Sequence, residues 1–366
     1  MNNQQKHISI VTWFGVLNFG TTLQAHALYV KLEQLGYHVC LLHKIGVMRS
    51  IRNLFGRISR CQQTNQISLA ERKLNNFTAS YHIVNFYTIN PFHNINRNTD
   101  VYITGSDQIW NTMFYWDAFY YLYFAPHKKK IAYSSSLGTL QINPKYQEKV
   151  KLYLSRFTHI GIRESSGVPV LSLLLERDDI VSVPDPTFLL TAEDWRQVTK
   201  DAVFELELPK DYIFVYFVGN RKEEYSQLLD AIHLRYNTPC TIIIPSFESG
   251  ICIHRENYIE YTHAGPAEFV YLIENAHIVC TDSFHATALS INMGKEFYVA
   301  KRFLDDNPQS QNSRIYDLLS HYGLQDRLYT GDLPTNAIAV NSKVVQNIVY
   351  KDRQYGLSYL VNSIEH

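Results

Sequence analysis

Five short segments carry the side chains that are best suited to chemistry, and each follows an apolar run of the sequence. The sharpest is Val279–Leu289, VCTDSFHATAL, in which Asp282 and Ser283 can cap a helix and His285 then falls in its first turn. Free backbone N–H groups at a helix start favour anions and disfavour a charged imidazole. We therefore predict that His285 donates to a phosphate or acts as an acid–base group, with a packed core histidine as the alternative.

Two of the segments hold carboxylates directly after predicted strands. In TGSDQIWN, Asp107 follows Ser106 at a strand end. Asp107 can serve as a general acid, as a general base or as an anchor for a hydroxyl, and Trp110 can stack on a sugar ring. In VPDPTFL, two prolines flank Asp185 and hold its carboxylate stiffly. A helix cap for Asp107 and an ordinary turn position for Asp185 are the alternatives.

The other two segments are suited to hold an anion. GVLNFGTT joins a strand to a helix and offers backbone N–H groups, and Asn18 and Gln24 extend its polar reach. Thr21 stands where the phosphate-binding loop of an ATPase has lysine, so an ATPase is disfavoured, and a tight glycine turn is the alternative to binding. In IGIRESS, Arg163 ends an apolar strand, and its planar guanidinium suits a carboxylate or phosphate unless Glu164 pairs with it.

Strands and helices alternate around these segments in two series. The predicted fold class is therefore α/β, with two Rossmann-like domains that face each other across a cleft. The predicted domains are residues 1–200, with a polar excursion at 45–98 outside the core, and residues 205–340; a terminal helix at 341–366 is a candidate to cross back to the first domain. Because ligands in open α/β sheets bind beyond the carboxyl ends of the strands, the five segments are placed for a shared site.

The composition of the 366 residues excludes several classes of protein. Lys and Arg together number 34, as do Asp and Glu, so the chain lacks the basic surplus with which proteins cover nucleic acid. The five cysteines form no CxxC pair, which disfavours zinc ribbons and thioredoxin-like sites, and no metal site is predicted. No run approaches a membrane span and the first residues show no leader pattern, so we expect a cytoplasmic protein, with the inner face of the membrane as the alternative place.

Taken together and in order, the segments resemble the polysaccharide pyruvyltransferase family. The stretches that carry the resemblance cover most of the chain outside residues 45–98. They are NFGTTLQAHAL (18–28), GSDQIWN (105–111), SSSLG (134–138), IRESSG (162–167), PDPTFLL (184–190), GPAEFVYLIENA (265–276), TDSFHATALSI (281–291) and SRIYDLL (313–319).

The resemblance implies a glycosyltransferase-B-like pair of domains, of which the second binds the donor. It implies transfer of pyruvate from phosphoenolpyruvate to a sugar of a cell-surface polysaccharide, such as a capsule or exopolysaccharide, or of its lipid-linked precursor. The products are a pyruvate ketal and phosphate, no cofactor is needed, and peripheral association with a membrane would bring the enzyme to a lipid-linked oligosaccharide. The alternatives are a nucleotide-sugar-dependent glycosyltransferase of the same architecture and a non-catalytic sugar-binding protein.

The resemblance also implies roles for residues. His285 is the candidate acid–base group, and Asp107 and Asp185 are candidates to orient or deprotonate sugar hydroxyls. Several members have arginine two residues before the histidine, where this chain has Ser283, so one anion-holding charge is either missing here or supplied by an arginine elsewhere. The predicted substrate-binding residues, with three arginines among them as candidates for that charge, are Asn18, Gly20, Thr21, Gln24, Ser106, Trp110, Arg163, Ser283, Arg302 and Arg314.

Overall fold

Two parallel β-sheets organise the protein in a computed structural model, which describes residues 5–45, 67–87, 96–236, 238, 240–246, 253–307 and 309–366. The first sheet contains β1 (His7–Val11), β2 (His38–Ile45), β3 (Ile83–Tyr87), β4 (Val101–Thr104), β5 (Lys129–Ser135), β6 (His159–Ile162) and β7 (Val181–Ser182). The second contains β8 (Ile213–Tyr216), β9 (Thr241–Ile243), β10 (Tyr258–Glu260), β11 (Ile278–Thr281) and β12 (Phe297–Val299). The strand orders are β3-β2-β1-β4-β5-β6-β7 and β10-β9-β8-β11-β12.

Helices connect the strands or follow them. Those in the described ranges are α1 (Phe19–Gln34), α2 (Leu69–Thr78), α3 (Gln147–Leu154), α4 (Val168–Leu175), α5 (Ala192–Thr199), α6 (Lys222–Arg235), α7 (Pro266–Asn275), α8 (Phe284–Asn292), α9 (Ser313–Tyr322) and α10 (Lys343–Glu365). Parallel strands joined by helices are what the alternating sequence pattern predicts, and the α/β class is confirmed.

The central strands are buried on both faces, which explains their continuous apolar sequences. All four residues of β4, of β8 and of β11 are buried. Where the chain leaves β1, the side chain of Asn18 caps α1 by accepting a hydrogen bond from the N–H of Thr21 at 3.3 Å. Where it leaves β11, Ser283 caps α8 through the N–H of Ala286 at 3.5 Å. The two helix starts thus lie at the carboxyl ends of the two sheets.

Part of the polar region at 45–98 belongs to the first sheet, so its prediction as an excursion outside the core is wrong there. β3 pairs in parallel with β2 over five residues and buries Phe86 in the core of the sheet. Because β3 lies at the edge of the sheet, none of its other four side chains is buried, although its sequence, IVNFY, is largely apolar. Residues 46–66 and 88–95 of this prediction lie outside the described residues.

Helix α1 of the first domain packs into the second domain. The ring of Phe19 stacks on that of Phe269 with centroids 4.7 Å apart and meets Tyr216 edge-on at 5.7 Å. Phe19 and Leu23 belong to the same apolar cluster as Phe214 of β8. Aromatic stacking and burial of this kind hold the start of α1 firmly against the second domain.

The C-terminal helix α10 crosses from the second domain to the first, as the sequence analysis anticipates. Val345 and Val349 pack in the apolar cluster of the second domain, whereas Leu360 and Ile364 pack beneath the first sheet. Near its end, the hydroxyl of Tyr359 donates to the carbonyl of Ala132 in β5 at 3.0 Å. Although α10 has 23 residues, no helix in the described part of the chain combines the length and apolarity needed to cross a membrane.

Candidate active site

A cleft of about 1040 Å³ opens between the carboxyl ends of the two sheets. The turn after β1, the end of β2 and the segment after β4 line one side, and the segments after β8 and β12 line the other. This is the edge at which parallel sheets place their ligands. Of the predicted site residues, Asn18, Thr21, Asp107 and Arg302 line the cleft.

Asp107 faces the cleft with a carboxylate that is held at both oxygens. Oδ2 accepts a hydrogen bond from Oγ1 of Thr21 at 2.7 Å, and Oδ1 accepts one from the backbone N–H of Gln108 at 2.8 Å. Burial acts to raise the pKa of Asp107, but the positive charges of His285 and Arg163 and the bond from Thr21 outweigh it and lower the pKa below its ordinary value. Asp107 is therefore ionised at neutral pH and suited to accept a proton or to hold a hydroxyl.

His285 lies between the two domains. Its Nε2 is 3.5 Å from Oδ2 of Asp185 and 3.4 Å from Nη1 of Arg163, both of which belong to the first domain. The opposite edge of the imidazole lies against Gly20 of α1, where a Cβ atom would overlap the ring. The structure thus brings four predicted site residues from distant parts of the sequence into contact.

Asp185 is placed to position His285 rather than to meet a substrate. Its side chain is fully buried, and Oδ1 accepts hydrogen bonds from the backbone N–H and Oγ1 of Thr187 at 3.0 and 2.9 Å. Oδ2 accepts from Oγ of Ser106 at 2.9 Å and from Arg163 at 3.2 Å. Burial acts to raise the pKa of Asp185, but the neighbouring His285 and Arg163 charges hold it well below its ordinary value. Because the carboxylate of Asp185 is fully buried and does not line the cleft, the expectation that Asp185 acts on a sugar hydroxyl is corrected.

Two guanidinium groups lie over the ring of Phe284, next to His285. The Cζ atoms of Arg163 and Arg314 are 4.1 and 5.9 Å from the ring centroid. Nε of Arg163 pairs with Glu164 at 3.3 Å, so that alternative of the sequence analysis is confirmed, and Nη1 pairs with Asp185 at 3.2 Å. Nη2 of Arg163 is buried with no hydrogen-bond partner among the described residues. Arg314 is also buried, and in the described ranges its hydrogen bonds go to the backbone oxygen and Oε1 of Gln311, not to a carboxylate.

Arg163, Arg302 and Arg314 form an arginine cluster. Among the described residues, no carboxylate is hydrogen-bonded to Arg314 to balance its charge. Burial lowers the pKa of Arg314 to about 9, and the positive charges of Arg163 and Arg302 act in the same direction. Arg302 lines the cleft, so the cluster extends from the open cleft to the buried ring of Phe284. Buried cations with spare donors are suited to bind a multiply charged anion.

The position of Ser283 is explained by its role at the start of α8. Its Oγ accepts the capping hydrogen bond from Ala286, so it orients the helix that carries His285. Arg163 and Arg314 flank the adjacent Phe284 and supply positive charge at this place. In the ranges that the structure describes, no group of three or more His, Cys, Asp or Glu side chains is arranged to hold a metal ion.

Three predicted substrate-binding residues are instead buried in supporting positions. The amide of Gln24 donates to three oxygens at 2.8 to 3.1 Å and accepts from the N–H of Ser106 at 2.9 Å, so it joins two loops and has no group left for a ligand. Ser106 is itself buried against Asp185. Trp110 packs in the core of the first sheet, stacked on Tyr121 with centroids 5.7 Å apart, and does not line the cleft as a platform for sugar.

Sequence reasoning missed Phe284, Gln311 and the role of Asp282. Phe284 had no signal beyond its place next to His285, and Gln311 lies in a polar loop without periodicity. The sequence offers both Asp282 and Ser283 to cap α8, but only Ser283 does so, and the carboxylate of Asp282 accepts hydrogen bonds from the turn after β8. The sequence feature that could have indicated the role of Asp282 is its position directly after a buried strand, where side chains point into the crevice of an α/β sheet.

A family model for polysaccharide pyruvyl transferase matches residues 18–300, a range that includes Asp107, Arg163, Asp185 and His285. The chain belongs to the polysaccharide pyruvyl transferase family. The match confirms the family that the ordered sequence segments resemble, and membership of the polysaccharide pyruvyl transferase family supports a transferase acting in polysaccharide biosynthesis. No curated protein sequence matches the chain.

Two solved structures of UDP-N-acetylglucosamine 2-epimerases are similar to this member of the pyruvyl transferase family in fold. The putative epimerase from Listeria monocytogenes is 12% identical, with a TM-score of 0.50, and the match covers 97% of this chain and 88% of that one. The enzyme from Rickettsia bellii is 8% identical, also with a TM-score of 0.50, over 99% of this chain and 97% of that one. These likenesses confirm the predicted fold, a glycosyltransferase-B-like pair of Rossmann-like domains.

Proposed function

We propose that the protein transfers pyruvate from phosphoenolpyruvate to a sugar of a cell-surface polysaccharide or of its lipid-linked precursor. The observation that carries the proposal is the buried arginine cluster beside His285, where Arg163 has a spare donor and Arg314 has no carboxylate bonded to it in the described chain. Phosphoenolpyruvate is a small anion with a carboxylate and a phosphate, and planar guanidinium groups bind both in bidentate fashion. Family membership supports the same reaction.

The donor anion would bind where Arg302 at the cleft wall adjoins Arg163 and Arg314. The start of α8 adds backbone N–H groups to this place, and a helix start favours negative charge. Because the cluster is buried, each contact between charges is stronger than it would be in water. A small, highly charged donor suits this environment better than a neutral sugar does.

The reaction joins two sugar hydroxyls to one carbon of the donor. One hydroxyl oxygen bonds to C2 of phosphoenolpyruvate while C3 gains a proton and becomes a methyl group; the second hydroxyl oxygen then bonds to C2 and phosphate leaves. The two hydroxyl protons end on the methyl group and on the phosphate. In this proposal His285 delivers the proton to C3, and Asp107 orients or deprotonates the hydroxyl. Asp185 acts through His285 as a positioning residue.

The acceptor would bind on the aromatic side of the cleft. Trp13, Phe14 and Tyr120 line this side together with Asp107, and Phe114 is 76% exposed at its rim. Aromatic rings offer flat apolar surfaces with low conformational cost, against which the C–H faces of a sugar can pack. A sugar placed there would lie on the same side of the cleft as Asp107.

The experiment mixes the purified protein with phosphoenolpyruvate and p-nitrophenyl glycosides of hexoses and N-acetylhexosamines. We expect acceptor-dependent release of phosphate and a mass gain of the glycoside equal to pyruvate less water. Arg163→Gln should abolish turnover, whereas Arg196→Gln, which removes a half-exposed arginine on α5, should retain it. Release of a nucleoside diphosphate from a nucleotide sugar, without turnover of phosphoenolpyruvate, would contradict the proposal.

A further inference from the structure

The turn that follows β8 already holds an anion that belongs to the protein. Asp282, the first residue after β11, accepts a hydrogen bond at Oδ1 from the N–H of Val218 at 2.7 Å. Its Oδ2 accepts from the N–H of Gly219 and from the hydroxyl of Tyr225, both at 2.7 Å. The side chain of Asp282 has no exposed surface. Two N–H groups of this turn, those of Val218 and Gly219, are therefore used within the protein.

This turn lies where a Rossmann-like domain usually holds the phosphates of a nucleotide. In the order β10-β9-β8-β11-β12, the strands that follow β8 along the chain lie on opposite sides of it, so the order reverses between β8 and β11. Ligands of open α/β sheets bind in the crevice at such a reversal, and the backbone N–H groups of the strand-to-helix turn hold phosphate. In this protein the crevice is bounded by Gly219 and Asp282.

A phosphate at these two N–H groups would have to displace the carboxylate of Asp282. Gly219 is packed so closely that a Cβ atom added to it would lie 2.7 Å from Cγ of Arg302 and 2.9 Å from Oδ2 of Asp282. A phosphate would also meet the negative charge of Asp282 at short range, where like charges repel strongly in a buried setting. The charge of Asp282 and its hydrogen bonds to both N–H groups therefore oppose an anionic ligand at these groups.

We propose that Asp282 is a specificity-determining residue that excludes nucleoside diphosphates from the phosphate-binding turn of the second domain. The same carboxylate pairs with Nε of Arg302 at 3.5 Å, while Arg302 lines the cleft. The groups left to bind an anion are therefore the arginine side chains and not the N–H groups of this turn. An arginine cluster suits a small donor without a nucleotide. The inference concerns what the second domain rejects, and it holds whether or not phosphoenolpyruvate is the donor.

The experiment measures binding of UDP to the full chain by isothermal titration calorimetry. We expect no saturable binding to the wild type up to about 1 mM, the upper end of ordinary substrate affinities. Asp282→Ala opens the turn, frees both N–H groups and removes the charge, and should bind UDP at least about tenfold more tightly than the wild type does. Asp282→Asn, which keeps the volume and removes only the charge, should change in the same direction and serves if the alanine variant does not fold.

Tyr225→Phe is the matched control, because it removes one donor to the carboxylate and leaves the carboxylate in place. We expect this variant to bind UDP no better than the wild type. Micromolar binding of UDP by the wild type would overturn the proposal, and so would folded Asp282 variants that gain no binding. An equal gain in Tyr225→Phe would also overturn it, since the effect would then come from general loosening of the turn. Turnover of phosphoenolpyruvate is a separate measurement, so this result and the proposed function can fail independently.

Discussion

The imidazole of His285 lies directly against the backbone of Gly20, so that α8 of the second domain and α1 of the first meet there with no side chain from α1 between them. Nε2 on the other edge of the ring lies within 3.5 Å of Asp185 and Arg163. The position of the proposed acid–base group is therefore determined by the first domain on both sides, although its own helix belongs to the second. Any change that separates the domains should move His285 away from its partners.

Gly20→Ala should reduce activity without unfolding the protein. The added methyl group would overlap the imidazole, and overpacking of this kind typically costs about 1–3 kcal/mol in strain or displacement. Alanine is also favoured over glycine inside a helix by about 1 kcal/mol, so overall stability should change little. We expect kcat for acceptor-dependent phosphate release to fall about tenfold or more, with KM for phosphoenolpyruvate less affected.

Gly167→Ala is the control for that variant, because the nearest atoms to its added Cβ are the ends of flexible side chains at 3.0 Å or more. Its kcat should remain close to that of the wild type. Normal kcat in Gly20→Ala would show that His285 need not stay in the observed position.

Arg314→Gln should weaken donor binding while leaving the empty protein as stable as before, or more stable. Hydrogen bonds to charged groups contribute about 1.5–3 kcal/mol, so KM for phosphoenolpyruvate should rise about tenfold to a hundredfold. Burial of Arg314 without a bonded carboxylate is costly in the absence of a ligand, and glutamine removes that cost. Thermal unfolding without and with phosphoenolpyruvate separates the two effects.

The half-exposed Arg196 provides the comparison for this arginine. Arg196→Gln should change neither KM nor the stabilisation by phosphoenolpyruvate. A strongly destabilised Arg314→Gln protein with an unchanged KM would show that Arg314 serves the fold and not the donor.

The positions of the site residues were predictable because buried parallel strands have recognisable sequences. β4 and β11 are apolar and buried throughout, and the residues that follow them include Asp107 and His285. The rule that ligands bind beyond the carboxyl ends of strands then predicted a shared site, and the contacts of Arg163 with Asp185 and His285 agree with it. Residues that are distant in the sequence come together here because the parallel strands all run in the same direction and end at the same edge of the sheet.

The roles of individual side chains were less predictable because they depend on depth and on partners distant in the sequence. Trp110 and Gln24 have side chains suited to sugars, but one packs in the core and the other joins two loops. Asp185 and Asp107 both accept hydrogen bonds from protein donors at both oxygens, but only Asp107 lines the cleft. The short edge strand β3 was missed because the region around it is polar, although its own sequence, IVNFY, is largely apolar. None of these differences is visible in local patterns.

Thr21→Val should move the acid limb of the pH–rate profile to higher pH. The pKa of Asp107 is held below its ordinary value, against the effect of burial, by the charges of His285 and Arg163 and by the hydroxyl of Thr21. Removing a donor to the charged carboxylate raises its pKa, so protonation inactivates the variant at a higher pH than the wild type. A bond of about 1.5 kcal/mol corresponds to about one pH unit.

The measurement is kcat/KM for phosphoenolpyruvate as a function of pH. Thr21→Ser keeps the hydroxyl and should retain the profile of the wild type. Identical acid limbs in all three proteins would show that ionised Asp107 is not required for the reaction.

The stability of the protein should fall between pH 7 and pH 4.5 because of His26 on α1. Its ring packs against Phe77 and Trp195, and its Nδ1 lies 2.6 Å from the hydroxyl of Tyr81. Burial lowers the pKa of His26 from 6.5 to about 4 in the folded protein. As pH falls through 6.5 the unfolded chain takes up this proton first, so the stability that is complete above pH 6.5 is lost progressively towards pH 4. Since His26 retains some exposed surface, we expect a loss of about 1–3 kcal/mol from this group.

Urea denaturation of the wild type and of His26→Gln at pH 7 and pH 4.5 measures this contribution. Glutamine keeps a hydrogen-bonding group near Tyr81 but does not titrate, so the variant should lose less free energy of unfolding than the wild type does over the same interval. His254→Gln replaces a histidine whose side chain is 74% exposed and should behave as the wild type does. Equal losses in the wild type and in His26→Gln would mean that the packing of α1 against Phe77 and Trp195 does not oppose protonation of His26.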